Sequence, residues 1–270
     1  MTGRTAFLRI IPPVTLMGGR RAVRLLERNV MVYRRLWGLV ASGFFEPVFY
    51  LFSIGVGLGA LVPDLTGPGG EPIRYAVFVA PALLAASAMN GPIFESFNVF
   101  FKIKYAKTYD GILATPLQPG DIALGEIVWS QIRGGLYSFG FVIVMFAFAL
   151  SPSPWGILAL PAALLAGLAF GAVGMAATTY MRSWQDFDLV TLIVMPMFLF
   201  SATFYPISIY PGWLQPLVRF SPLYHTTDLI RACTLGAFDW SILGHIAVLL
   251  AMTAVGLAIL TRRIERLLLK

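Results

Sequence analysis

The chain has 270 residues, 58% hydrophobic and 12% charged, with a net charge of +7 and a mean hydropathy of +0.78. A soluble domain carries about 25% charged residues, so half that share excludes a water-soluble enzyme and a disordered chain. The one cysteine, Cys233, excludes an internal disulfide and leaves the redox compartment unread.

Residues 1–36 hold eight arginines and Pro12–Pro13 with no apolar run before a small-residue cleavage site. No cleavable signal peptide is expected, and the first span serves as the targeting signal. Apolar residues interleaved with the arginines over 14–36 predict an amphipathic helix on the inner membrane surface; a merely solvated basic tail is the alternative. Six spans of about 20 apolar residues each are expected at 39–62, 74–97, 122–150, 155–181, 189–205 and 240–261. Residues 206–239 are apolar but broken by Pro206, Pro211, Pro216 and Pro222. Two short helices re-entering the outer leaflet, at 211–220 and 223–235, fit that pattern; helices lying flat on the outer surface are the other reading.

Six spans place both termini on one side. Every Lys and Arg except Arg74, Arg219 and Arg231 falls on or near that side, which the positive-inside rule makes the cytoplasm. The same placement, flanking apolar spans, favours a membrane over nucleic acid as partner. The expected fold is all-α and polytopic, one transmembrane unit over 1–270. An interfacial segment (1–36), a cytoplasmic segment (98–121) and an outer re-entrant segment (206–239) belong to it. No stretch outside the spans is long enough for a core of its own.

No G-x-x-x-x-G-K-[ST] motif occurs, so no P-loop cradles a nucleotide in this chain. His225 and His245 are 20 residues apart with no second ligand at metal spacing. His225 and Asp228 form a weak pair, read as a helix-end hydrogen bond rather than a catalytic dyad. No catalytic, cofactor or metal residues are expected, and a membrane-embedded lipid-modifying enzyme stands only as a minor alternative.

Glu46, Glu95, Glu126 and Arg133 fall inside expected spans, where an ionisable group costs roughly 2.5–3.5 kcal/mol unless paired or watered. Glu126, Ser130 and Arg133 share one helix face. Glu46, Glu126, Ser130 and Arg133 are candidates for a polar patch that lines a route or a subunit contact; the alternative is a structural ion pair that locks packing, Arg133 with Glu46, the preferred partner, or with Glu126. Glu95 and Glu126 are expected to snorkel to the interface. Gly55, Gly57 and Gly59, and Gly167, Gly171 and Gly174, allow close helix approach. The 107–121 segment starts amphipathic and ends in a Pro-Gly break; a short helix with an exposed polar edge makes it a docking handle, an ordinary turn being the alternative.

Five stretches carry a resemblance: F-F-E-P-V-F-Y-L-F-S-I-G-V-G-L-G (44–59), Y-D-G-I-L-A-T-P-L (109–117), G-E-I-V-W-S (125–130), P-M-F-L-F-S-A-T-F-Y-P-I (196–207) and S-P-L-Y-H-T-T-D-L-I-R-A (221–232). In order and over nearly the whole chain, they resemble the permease subunit of type-2 ABC exporters. The nearest branch is that of nodulation-factor (lipo-oligosaccharide) and daunorubicin-type drug exporters. One departure is Ala202, where that branch usually has glycine; little effect beyond local packing is expected.

The resemblance implies export of an amphipathic drug-like or lipid-linked substrate across a bacterial inner membrane, with polysaccharide export as the alternative. It implies two copies of a separate ATPase that bind ATP and Mg, and a second permease copy, identical or paralogous. Lys107, Thr108, Tyr109, Asp110 and Leu113 would lie on the coupling helix received by the ATPase, and the N-terminal helix would be the connecting helix beside it. The proline-broken segment would be the outer gate, with Trp213, Tyr224 and His225 as its side chains.

Overall fold

The computed structural model describes residues 17–34, 38, 45, 48, 49, 51–67 and 70–268. Nine α-helices are seen among the described residues: α1 (Met17–Arg34), α2 (Tyr75–Lys104), α3 (Thr108–Leu113), α4 (Pro119–Ala147), α5 (Ala159–Thr178), α6 (Phe187–Leu199), α7 (Gln215–Phe220), α8 (Pro222–Leu235) and α9 (Ser241–Leu268). Leu51–Gly57 winds as a π-helical segment. Two two-residue strands, β1 (Leu65–Thr66) and β2 (Pro72–Ile73), pair antiparallel just before α2.

Among the described residues, four stretches are long and apolar enough to cross a membrane: Tyr75–Lys104, Pro119–Ala147, Pro154–Thr178 and Ser241–Leu267. They match the second, third, fourth and sixth expected spans. Most of the first, with Glu46, lies outside the described residues. The fifth is a helix of only 13 residues, about 20 Å long at 1.5 Å per residue, against a hydrocarbon core of about 30 Å. It carries Pro196 and stops at Leu199, and a bend with Ala202 at positive φ follows.

Each long helix starts where local chemistry dictates. The Gln118-Pro-Gly-Asp121 break is the beginning of α4: Pro119 fills its first turn and Asp121 accepts the Gln118 amide at 2.9 Å, a reciprocal cap. The Asp186 carboxylate caps the turn before α6 in the same way and accepts the amides of Arg182 and Ser183. Those two hydrogen bonds hold its carboxyl below the usual carboxylate range. Arg74 and Arg263 satisfy the other ends. Arg74 donates to the Ala149 carbonyl past α4, and Arg263 to the Thr179 carbonyl past α5 at 3.1 Å, where helices leave carbonyls unpaired.

α2 is the central helix. It is buried along most of its length and packs on α5, α4 and α8. Its partner surface on α5 is the small-residue stripe. A Cβ at Gly171 would sit 3.2 Å from Pro92, and one at Gly174 would sit 3.4 Å from Ser96. The stripe therefore sets how close α2 and α5 lie, as expected. A Cβ on Gly57 or Gly59 meets nothing within 4 Å among the described residues. Among the described glycines, the closest approach to the backbone of another helix is at Gly256 on α9, a residue not singled out above. A Cβ there would fall 2.8 Å from the backbone of Ala172 and Val173.

Ala202, noted above for its departure from glycine, lies in the bend that follows α6. Its φ is +53°, and its carbonyl accepts a 2.9 Å hydrogen bond from Arg231 of α8. Arg231 also stacks over the Phe78 ring at 3.9 Å, so one left-handed residue links α8 and α2. Left-handed backbone costs a residue with a Cβ about 1–2 kcal/mol, and the buried methyl group returns part of that. Ala202→Gly should therefore leave thermal stability within about 1 kcal/mol. Ala202→Val should lower it by more than about 2 kcal/mol, because a β-branched side chain is excluded from positive φ. Thermal unfolding in detergent compares the two; equal stability for both would remove the strain argument.

Candidate functional site

The end of the molecule that carries α1, α3 and the C-terminal part of α9 contains a balanced network of charges. α2 contributes Glu95 and Lys102. α4 contributes Glu126 and Arg133. Each pair is spaced seven residues apart, with the signs in the same order on helices that run in opposite directions. Antiparallel packing therefore puts each carboxylate against the other helix's cation. Lys102 Nζ donates to both Glu126 carboxylate oxygens at 2.9 and 2.8 Å, while Arg133 Nη1 pairs directly with Glu95. Two positive and two negative groups cancel, so burial does not leave a net charge.

Aromatic hydroxyls complete both pairs. Tyr109 of α3 donates to Glu126 Oε1 at 3.0 Å. Arg133 donates to Tyr33 of α1 at 3.2 Å and to Tyr137 at 3.3 Å, and its guanidinium lies 4.8 Å from the Tyr33 ring centroid. Burial and then the Glu126 carboxylate push the Tyr109 phenol well above its usual range, so it keeps its proton and remains a donor. Ser130 is buried between the two pairs, its hydroxyl without a hydrogen-bond partner among the described residues.

Several expectations change here. Glu95 and Glu126 do not snorkel: they are 3% and 1% exposed, because each has a cation on the facing helix. Arg133 pairs with Glu95 rather than Glu126; its preferred partner, Glu46, lies outside the described residues. The short helix predicted near Lys107–Thr115 is α3, with Lys107 and Asp110 on its exposed side and Leu113 half-buried. Tyr109, expected on the exposed edge, is fully buried and anchors α3 to the bundle. The seven-residue spacing on both helices was the available sequence signal for this network. Reading it required knowing that α2 and α4 are adjacent.

At the opposite end, Tyr224 and His225 lie together on α8, but Trp213 stands apart, 77% exposed. Asp228 approaches His245 of α9 at 3.1 Å rather than closing a helix-end hydrogen bond with His225. A cavity of about 280 Å³ lies between the π-helical segment, the start of α2 and the end of α4. Leu51, Phe52, Phe148 and Leu150 form apolar walls, with Asp64 and Arg74 among the polar lining.

The buried, charge-neutral network joins α3 to two membrane-length helices. Residues 21–235 match the ABC-2 type transporter family. The chain belongs to that family. It is similar to nodulation protein J of Rhizobium leguminosarum bv. viciae, 31% identical over 94% of this chain and 97% of the relative. Against nodulation protein J of R. leguminosarum bv. trifolii it is 34% identical, over 83% and 85%. It is also similar to the inner membrane transport permease YadH of Escherichia coli, 22% identical over 78% and 82%. As an ABC-2 transporter, the chain is a multi-pass helical transport component.

Proposed function

We propose that this chain is the permease of an ATP-driven exporter, working with a separate ATPase that binds ATP and Mg. The observation that carries the reading is the tie from Tyr109 to Glu126 and Lys102, which joins α3 to both α4 and α2. A push on α3 from a docked ATPase would then move two spans together. The exposed Lys107 and Asp110 form the edge that the ATPase receives, and α1, bonded through Tyr33 to Arg133, lies beside it as the connecting helix.

The complete unit has six spans, with both basic termini in the cytoplasm and a bacterial inner membrane around it. Two permeases, identical or paralogous, and two ATPases make the transporter. Support for a second copy comes from α6, whose Leu189, Leu192 and Ile193 are more than 60% exposed. α7 and α8 are the re-entrant outer elements. The substrate is amphipathic, drug-like or lipid-linked, in keeping with a cavity that has apolar walls and one charge of each sign.

Asp110→Arg tests the coupling edge. The variant should fold, insert and retain its thermal stability, because Asp110 is exposed and outside the buried network. Permease-dependent stimulation of ATP hydrolysis, measured with the purified ATPase in nanodiscs, should fall at least about tenfold by reversal of charge at the contact. Normal stimulation would place the docking surface elsewhere.

A further inference from the structure

We propose that His225 and His245 together bind a borderline divalent cation of the Zn²⁺ or Ni²⁺ class, held between α8 and α9. Nδ1 of His225 lies 2.7 Å from Nδ1 of His245, so the same atom of both rings converges on one point from two helices. Two imidazole nitrogens at that distance share one proton, held by one ring and accepted by the lone pair of the other. A cation that displaces the proton finds two lone pairs aimed at it.

Asp228 supplies the second part of the arrangement. Its Oδ2 is 3.1 Å from Nε2 of His245, off the line of a full hydrogen bond but close enough to favour the proton on Nε2. That tautomer leaves Nδ1 of His245 as the ligand, the carboxylate–histidine–metal pattern that orients ligating histidines and raises their basicity. The carboxylate also offsets the cation's charge. Arg231, the cation on the same helix, is turned away to the Phe78 ring and the Ala202 carbonyl. The Tyr224 ring lies about as far from one imidazole as from the other, with centroids 5.9 and 6.1 Å away.

At Zn–N distances of about 2.0–2.1 Å in tetrahedral geometry, two ligand nitrogens sit about 3.3 Å apart. The rings need to part by about 0.6 Å from their present contact, within reach of small side-chain rotations. Among the described residues no group of three or more His, Cys, Asp and Glu converges on one point. Two imidazoles and water therefore complete the site, which is an open one of modest affinity. Occupied, it would cross-link the helix after α7 to the last long helix.

Isothermal titration of the full-length protein in nanodiscs, without a polyhistidine tag, tests this with ZnCl₂ and NiCl₂ as probes. One saturable equivalent per chain is expected. His225→Gln and His245→Gln should each lose at least tenfold in affinity, and Asp228→Asn about tenfold or more through the orienting carboxylate. Cu²⁺ bound to the wild-type chain should show two imidazole nitrogens by electron paramagnetic resonance, a reading that needs no variant to fold. Absence of saturable binding, affinity unchanged in His225→Gln, or a Cu²⁺ signal without two imidazole nitrogens would each overturn the site. The pair would then only share a proton.

Discussion

Arg133→Leu is expected to cost the folded protein about 3–5 kcal/mol, the usual result of removing one partner from a buried ion pair. The charge left behind is Glu95, 3% exposed and paired with Arg133 in the intact network. The loss should appear as reduced folded yield and a lower unfolding temperature in detergent. Glu95→Leu combined with Arg133→Leu should recover much of it, because two facing apolar side chains leave no uncompensated charge. Glu126→Gln combined with Arg133→Leu should not recover it, since Glu126 is held by Lys102 and Tyr109. Rescue by the Glu126 change alone would mean that Arg133 is compensated within its own helix and that the α2–α4 register is wrong.

Gly256→Leu should be as damaging for a different reason. Even the first carbon of the side chain would lie 2.8 Å from the main chain of α5 at Ala172 and Val173, and backbone cannot turn aside as a side chain does. Overpacking typically costs about 1–3 kcal/mol. The remaining three carbons force α9 outward along a contact that includes Leu249 and Leu260, both fully buried, so a loss at or above the top of that range is expected. Gly244→Leu, on the same helix with nothing within 4 Å of its Cβ position, is the control and should leave the unfolding temperature almost unchanged. Similar destabilisation by both would assign the effect to helix α9 itself rather than to its contact with α5.

How much was legible varies from residue to residue. Four of the expected spans were readable because a run of about 20 apolar residues has few other uses. The fifth, expected over 189–205, is helical only to Leu199; hydropathy does not register the positive φ at Ala202, whose carbonyl meets Arg231, 29 residues later. The short helix at Thr108–Leu113 was legible, but the direction of Tyr109 was not. A tyrosine fits an exposed docking edge and a buried anchor equally well until its acceptor is known.

The amino-acid sequence by itself determined the solvent of this protein, its apolar helices, the absence of a P-loop motif from the chain and, through five ordered motifs, its transporter family. Each of these depends on composition or on neighbours along one helix, where 3.6 residues per turn fixes what faces what. Only the tertiary structure decided that Arg133 meets Glu95, that Glu126 holds Tyr109 and Lys102, that Gly256 is the tight crossing, and that two histidines on different helices point at one place. Those contacts join residues 17 to 84 positions apart. Their partners are set by which helices lie side by side and in what register, and a one-dimensional pattern of hydropathy and charge leaves that choice among several acids, several glycines and both histidines unresolved.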